Sequence, residues 1–133
     1  MKELCSKLFD ESEIKNNLNR DIDTFIIVET TCKQELVKKF SKDFILTGCK
    51  NFKLFGKYAF EWELAIDEAD MEVFDYSDDV AMTSVIEKFD DFVDEIYETI
   101  LNNTENVFLF YDDLTAYNKV KTALTKLKEG TSK

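Results

Sequence analysis

Two short runs limit what this chain can fold into. Residues 21 to 29 read DIDTFIIVE and residues 107 to 111 read VFLFY. Bunched apolar residues over four or five positions, β-branched or aromatic, mark strands whose two faces are both covered. Such strands belong at the centre of a sheet, so a sheet with covering helices is the frame into which every other segment must fit. The 133 residues suit one domain, residues 1–133, and a 44% hydrophobic content with 12 Phe, 5 Tyr and 1 Trp furnishes a core.

Helical spacing of Leu4, Leu8 and Phe9, then Ile14 and Leu18, predicts a helix or helical pair over Lys2 to Asn19. Thr31 followed by Gln34 fits a capping box, and Leu36, Val37 and Phe40 give the stripe of a short second helix. The period then changes to two. In Tyr58 to Ile66, YAFEWELAI, the residues Tyr58, Phe60, Trp62, Leu64 and Ile66 alternate with Ala59, Glu61, Glu63 and Ala65, predicting a strand with one wet face. Asn51 to Phe55 reads as its hairpin partner across Phe55-Gly56-Lys57, and Met71 to Tyr76 as the third strand of a meander after a turn at Asp67 to Asp70. Ser77 is placed to cap a long helix running to about Leu101, with Val85, Phe89, Phe92, Ile96 and Ile100 on its apolar stripe and a break at Asn102 to Thr104. Asp112 or Asp113 caps a last helix that carries Leu114, Tyr117, Val120, Leu124 and Leu127 and ends near Gly130. The expected class is α+β, a mixed or antiparallel sheet of about five strands with helices packed mainly on one face.

Charge and composition exclude several activities. The 28 Asp and Glu against 17 Lys and Arg leave a formal −11, which disfavours direct binding of nucleic acid or an anionic membrane. Arg20 is the only arginine, and His is missing altogether, which removes the commonest general base and metal ligand. With three Gly and no Pro there is no glycine-rich phosphate loop. Cys5, Cys32 and Cys49 form no C-x-x-C pair and read as reduced thiols rather than ligands. No signal-peptide core or apolar stretch of membrane-spanning length occurs, so a cytoplasmic location is expected. No cofactor and no metal site is expected from these residues.

The charge is unevenly distributed. Residues 58 to 118 carry 18 acids and one base, Lys88, a balance of −17, while the rest of the chain carries +6. Residues 30 to 57 alone hold seven Lys against Glu35 and Asp43. On the predicted long helix, Glu87, Asp91, Asp94 and Glu98 recur at i, i+4, i+7 and i+11, with Asp90 and Glu95 beside them. Like charges at this spacing cost about 0.2–0.5 kcal/mol per pair, and surface helices ordinarily interleave Lys to avoid it. The row extends about 16 Å and resembles the succession of phosphates along a nucleic-acid strand. Glu61 and Glu63, on the wet face of the predicted strand, would widen the same surface. The plainer reading is a solvated face, partly neutralised by the lysines of residues 33 to 57.

Three functions follow as expectations. The first is a non-enzymatic inhibitor that binds a basic nucleic-acid-handling protein through Glu87, Asp90, Asp91, Asp94, Glu95, Glu98, Glu61 and Glu63. Phage or mobile-element proteins directed against host nucleases, such as anti-CRISPR or anti-restriction proteins, have this profile. The second is an immunity protein or antitoxin for a cationic toxin. The third is a metal-dependent hydrolase using Asp112 and Asp113, which stand after a buried strand where parallel-sheet enzymes place carboxylates; a helix N-cap explains them more simply. The breadth of the long helix's stripe also allows a homodimer.

Overall fold

The computed structural model describes residues 4–74, 80–102 and 107–131, with side chains from residue 9 to residue 130. Strands and helices alternate along the chain: β1 (Leu4–Leu8), α1 (Glu11–Asn17), β2 (Asp23–Ile27), α2 (Gln34–Leu46), β3 (Asn51–Phe55), α3 (Ala59–Phe74), β4 (Met82–Val85), α4 (Phe89–Asn102), β5 (Val107–Tyr111) and α5 (Leu114–Thr131). The five described strands form one sheet in the order β1-β5-β2-β3-β4, and each neighbouring pair is parallel. The two bunched segments, β2 and β5, are adjacent interior strands, with Ile26 opposite both Leu54 and Phe110. Helices and strands do combine around one sheet as expected, but the mixed or antiparallel pairing does not form. A helix stands between successive strands, and a helical crossover returns the chain to the same end of the sheet, so neighbours run the same way.

Helices cover both faces, which corrects the one-sided packing. Ile26, Val28, Phe52, Leu54, Phe108 and Phe110 point to one side and pack with Ile14, Val37, Phe44, Trp62 and Ile66 of α1, α2 and α3. Phe25, Ile27, Val107 and Leu109 point to the other side and pack with Phe92, Val93, Ile96, Val120 and Leu124 of α4 and α5. Right-handed crossovers impose this division: the chain moves one way along the sheet through β2, β3 and β4, then turns back to β5. Edge-to-face rings tighten the first layer, Phe44 standing 5.8 Å from Phe52 and 5.2 Å from Phe110.

Several local expectations change. Leu4 to Leu8 is a strand, not a helix, because a spacing of four residues returns to the same face in both structures. The segment 58 to 66 is helical, not a strand, and α3 continues through the expected turn at Asp67 to Asp70 and through Phe74, where a third strand was expected; Tyr76 lies outside the described residues. Its two-residue period arises because this helix is apolar on two opposite sides. Trp62 and Ile66 are fully buried, whereas Phe60 is 56% and Leu64 65% exposed. Phe55-Gly56-Lys57 therefore leads from β3 into α3 rather than closing a hairpin. Gly56 has φ +126°, and a Cβ there would stand 2.5 Å from the Val28 carbonyl oxygen. That close approach is part of a tie in which Val28 N donates to Phe55 O and Tyr58 N to Val28 O.

The helix ends also differ in part. Lys33, not Thr31, is the N-cap of α2 and makes no side-chain cap bond, so the capping box is not formed. The long helix begins at Phe89, because Met82 to Val85 pairs with β3 as an edge strand. The expected cap Ser77 and the breakers Asn103 and Thr104 lie outside the described residues. Asp113 caps α5 as expected, its Oδ2 accepting from Ala116 N at 3.0 Å.

Candidate functional site

The acids of α4 sit on a face created by the packing of its opposite side. Phe92, Val93, Ile96 and Ile100 are buried, so the remaining arc of the helix carries Asp91, Asp94 and Glu98 outward, with Asp90 at its margin. All four are exposed, and among the described residues no Lys or Arg stands within ion-pair distance of them. Glu95 differs: it is half-buried and meets Lys53 of β3 at 2.9 Å. Glu87 precedes α4 and is exposed, so the helical row is shorter than expected, about 10 Å from Asp91 to Glu98.

Glu61 and Glu63 do not widen this surface. They belong to α3, in the helical layer on the other face of the sheet. Burial and the neighbouring Asp67 both push the Glu63 carboxyl above its ordinary range, burial being the larger cause. Beside α3 the lysines of α2 answer part of the charge. Lys38, Lys39 and Lys42 face Glu68 and Glu72 across the groove between the two helices, with Lys42 Nζ 3.7 Å from Glu72. The acids of α3 are thus partly neutralised inside the fold, and the outward acids of α4 are not.

The carboxyl edge of the sheet has a different character. There β2 leads to α2 on one face and its neighbour β5 leads to α5 on the other, the divergence at which parallel sheets open a ligand crevice. Asp112 fills the anion position of that crevice with its own carboxylate. Its Oδ1 accepts from Glu29 N at 2.8 Å, and its Oδ2 from Thr30 N at 3.0 Å and Thr31 N at 2.7 Å. Three backbone donors on one carboxylate make a charge-assisted clamp between the ends of β5 and β2. Both aspartates of the hydrolase reading are therefore engaged in holding backbone, Asp112 in this clamp and Asp113 in the α5 cap. Among the described residues no three His, Cys, Asp or Glu side chains come together to hold a metal ion. An open groove of about 930 Å³ borders this edge along α5, lined among others by Glu29, Phe55, Phe89, Asp113, Lys119 and Lys126.

Cys49 is buried, and burial pushes its thiol above the ordinary range while Thr24 Oγ1 lies 3.3 Å from its sulfur. That environment suppresses thiolate chemistry. Cys32 is exposed and unpaired, and the side chain of Cys5 lies outside the described residues.

Two features escape the sequence reading. The Asp112 clamp joins residues more than eighty positions apart, and no local signal announces it. The outward side of α3 carries Phe60, Leu64, Met71 and Phe74, all exposed; the alternation over residues 58 to 66 places Phe60 and Leu64 in a core, and Met71 and Phe74 fall in the expected third strand. An apolar period of two within a segment long enough for a helix is the signal that could have revealed it.

No helix among the described residues is long and apolar enough to cross a membrane. No curated protein and no solved structure matches the chain. A family model described as a domain of unknown function, DUF7684, matches residues 7–125, and the chain belongs to that family.

Proposed function

We propose that this protein is a non-enzymatic binding protein that presents the outward acids of α4 to a basic, nucleic-acid-handling protein and occupies its nucleic-acid groove as a mimic. The observation that carries this reading is the row of Asp91, Asp94 and Glu98, with Asp90 at its margin, exposed and, among the described residues, without an ion-pair partner, on a helix whose other side is locked into the core. Carboxylates one helical turn apart stand about 5 to 6 Å from one another, a repeat that suits a groove lined with Lys and Arg. A phage inhibitor of host nucleases and an immunity protein for a cationic toxin are two settings for the same contact. The engagement of Asp112 and Asp113 with backbone donors weighs against the hydrolase reading.

The test is a cleavage assay with a panel of purified cationic nucleases, titrated with the intact chain at low and high salt. Inhibition of at least one enzyme should weaken steeply as salt rises. It should disappear in the variant Asp91→Lys, Asp94→Lys, Glu98→Lys while circular dichroism remains unchanged. A panel left wholly active, or inhibition indifferent to the triple variant, removes the reading.

A further inference from the structure

The outward ridge of α3 points to a second docking surface. On this helix Trp62, Ile66 and Ala69 face the sheet, and Phe60, Leu64 and Met71 lie about 180° away from them around the axis. Phe60 is 56%, Leu64 65% and Met71 50% exposed, with Phe74 at the end of the row. Phe60, Leu64 and Met71 share one outward arc about 16 Å long, with Asp67 between Leu64 and Met71, and three large apolar side chains on one arc exceed the single exposed hydrophobics normal on any surface. Carboxylates border the ridge: Glu61, Glu68 and Glu72 stand along one side, Glu63 along the other, and Asp67 on the arc itself. Glu72 is near Lys42, and Asp67 accepts from Thr83 Oγ1 at 2.8 Å, an interaction that leaves its charge in place.

We infer that this ridge binds a cationic amphipathic helix of a partner protein, laid along α3 with its apolar stripe on Phe60, Leu64 and Met71 and its Lys or Arg side chains on the acidic rims. The rim selects the occupant. A second copy packed α3 against α3 would set carboxylate rims against one another, and an anionic lipid surface would be repelled by them. A helix with apolar anchors at i, i+3, i+4 and i+7 and flanking bases meets both the ridge and its charge. The apolar anchors supply the affinity, and the charges supply orientation and exclude wrong partners. This surface lies in the opposite helical layer from the acids of α4 and relies on apolar burial, so it stands or falls independently of the nuclease-groove reading.

The probe is a fluorescently labelled synthetic helix of Leu and Lys with all Leu on one face, titrated with the intact chain by anisotropy; its control is a peptide of the same composition scrambled to destroy that face. The intact chain should bind the amphipathic peptide at least about tenfold more tightly than the scrambled one. Leu64→Gln with Met71→Gln should weaken binding about tenfold with unchanged circular dichroism, whereas Asp91→Asn with Asp94→Asn in α4 should leave it intact. Should the double ridge variant lose its fold, Phe60→Gln carries the same comparison. Equal binding of both peptides, or binding indifferent to the ridge variants, overturns the proposal. So does a dimer in sedimentation without peptide that Leu64→Gln dissociates, which would assign the ridge to a second copy.

Discussion

α3 and α4 stand on opposite faces of the sheet, one leading into the edge strand β4 and the other leading away from it, and both are acidic. Their inner sides are alike: Trp62 and Ile66 of α3 and Phe92 and Ile96 of α4 are all fully buried. Their outer sides are opposites. α4 turns outward carboxylates that have no ion-pair partner among the described residues, and α3 turns outward an apolar ridge bordered by carboxylates. Charge of the same sign on two helices therefore does not mean equal surfaces, because what each can bind depends on what occupies the arc opposite its core. An anionic row attracts a cationic groove at long range and is screened by salt, whereas an apolar ridge contributes only on contact and is far less sensitive to salt.

The largest effect should separate the inner from the outer side of α3. Trp62→Ala removes a filled core position and the indole donor to Thr31 O, and should cost about 3–5 kcal/mol; Phe92→Ala in α4 should cost a similar amount. Leu64→Ala, two residues from Trp62, should change stability by no more than about 0.5 kcal/mol. Chemical denaturation of the three variants reads this directly, and a large loss at Leu64 would mean that the outer ridge is part of the core.

A smaller effect tests how the two helices begin. α3 depends on the positive φ of Gly56 and its closeness to Val28, and Gly56→Ala should cost roughly 2–4 kcal/mol, read as a lower denaturation midpoint. α4 begins after Lys88 with no glycine, so Lys88→Ala should be nearly silent in the same experiment. The smallest effect is a gain. Asp94→Lys relieves repulsion from Asp90, Asp91 and Glu98 and should stabilise α4 by roughly 0.5–1 kcal/mol, seen as a higher Tm at low salt that shrinks as salt is added. A loss of stability would show that the row is not as exposed to solvent as its neighbours indicate.

Much of the candidate surface was legible in the residues themselves. The spacing of Asp91, Asp94 and Glu98 against Phe92, Ile96 and Ile100 identifies both sides of α4 without coordinates. The apolar period continuing through Val85 extends that helix to Glu87, but β4 claims Val85 by pairing it with Leu54 of β3. Glu61 and Glu63 join the same surface only if residues 58 to 66 form a strand, and they form a helix. The lysines of residues 33 to 57 predict partial neutralisation of the acid excess, and Lys42 beside Glu72 and Lys53 beside Glu95 provide it.

By itself the sequence determined which segments are interior strands, β2 and β5, because uninterrupted apolar β-branched and aromatic runs have only one kind of place to go. It also determined the inner stripe of α4 and an aspartate cap for α5, since these are local patterns of spacing and hydrogen bonding; which of Asp112 and Asp113 caps was left to the structure. Only the tertiary structure decided that every described strand runs parallel, that Leu4 to Leu8 is a strand and that residues 59 to 74 are a helix. Strand direction follows from which crossovers pack, and a spacing of four fits both a helix and a strand. The alternation over residues 58 to 66 belongs to two faces of one helix, and what buries one face and exposes the other is the sheet beneath it.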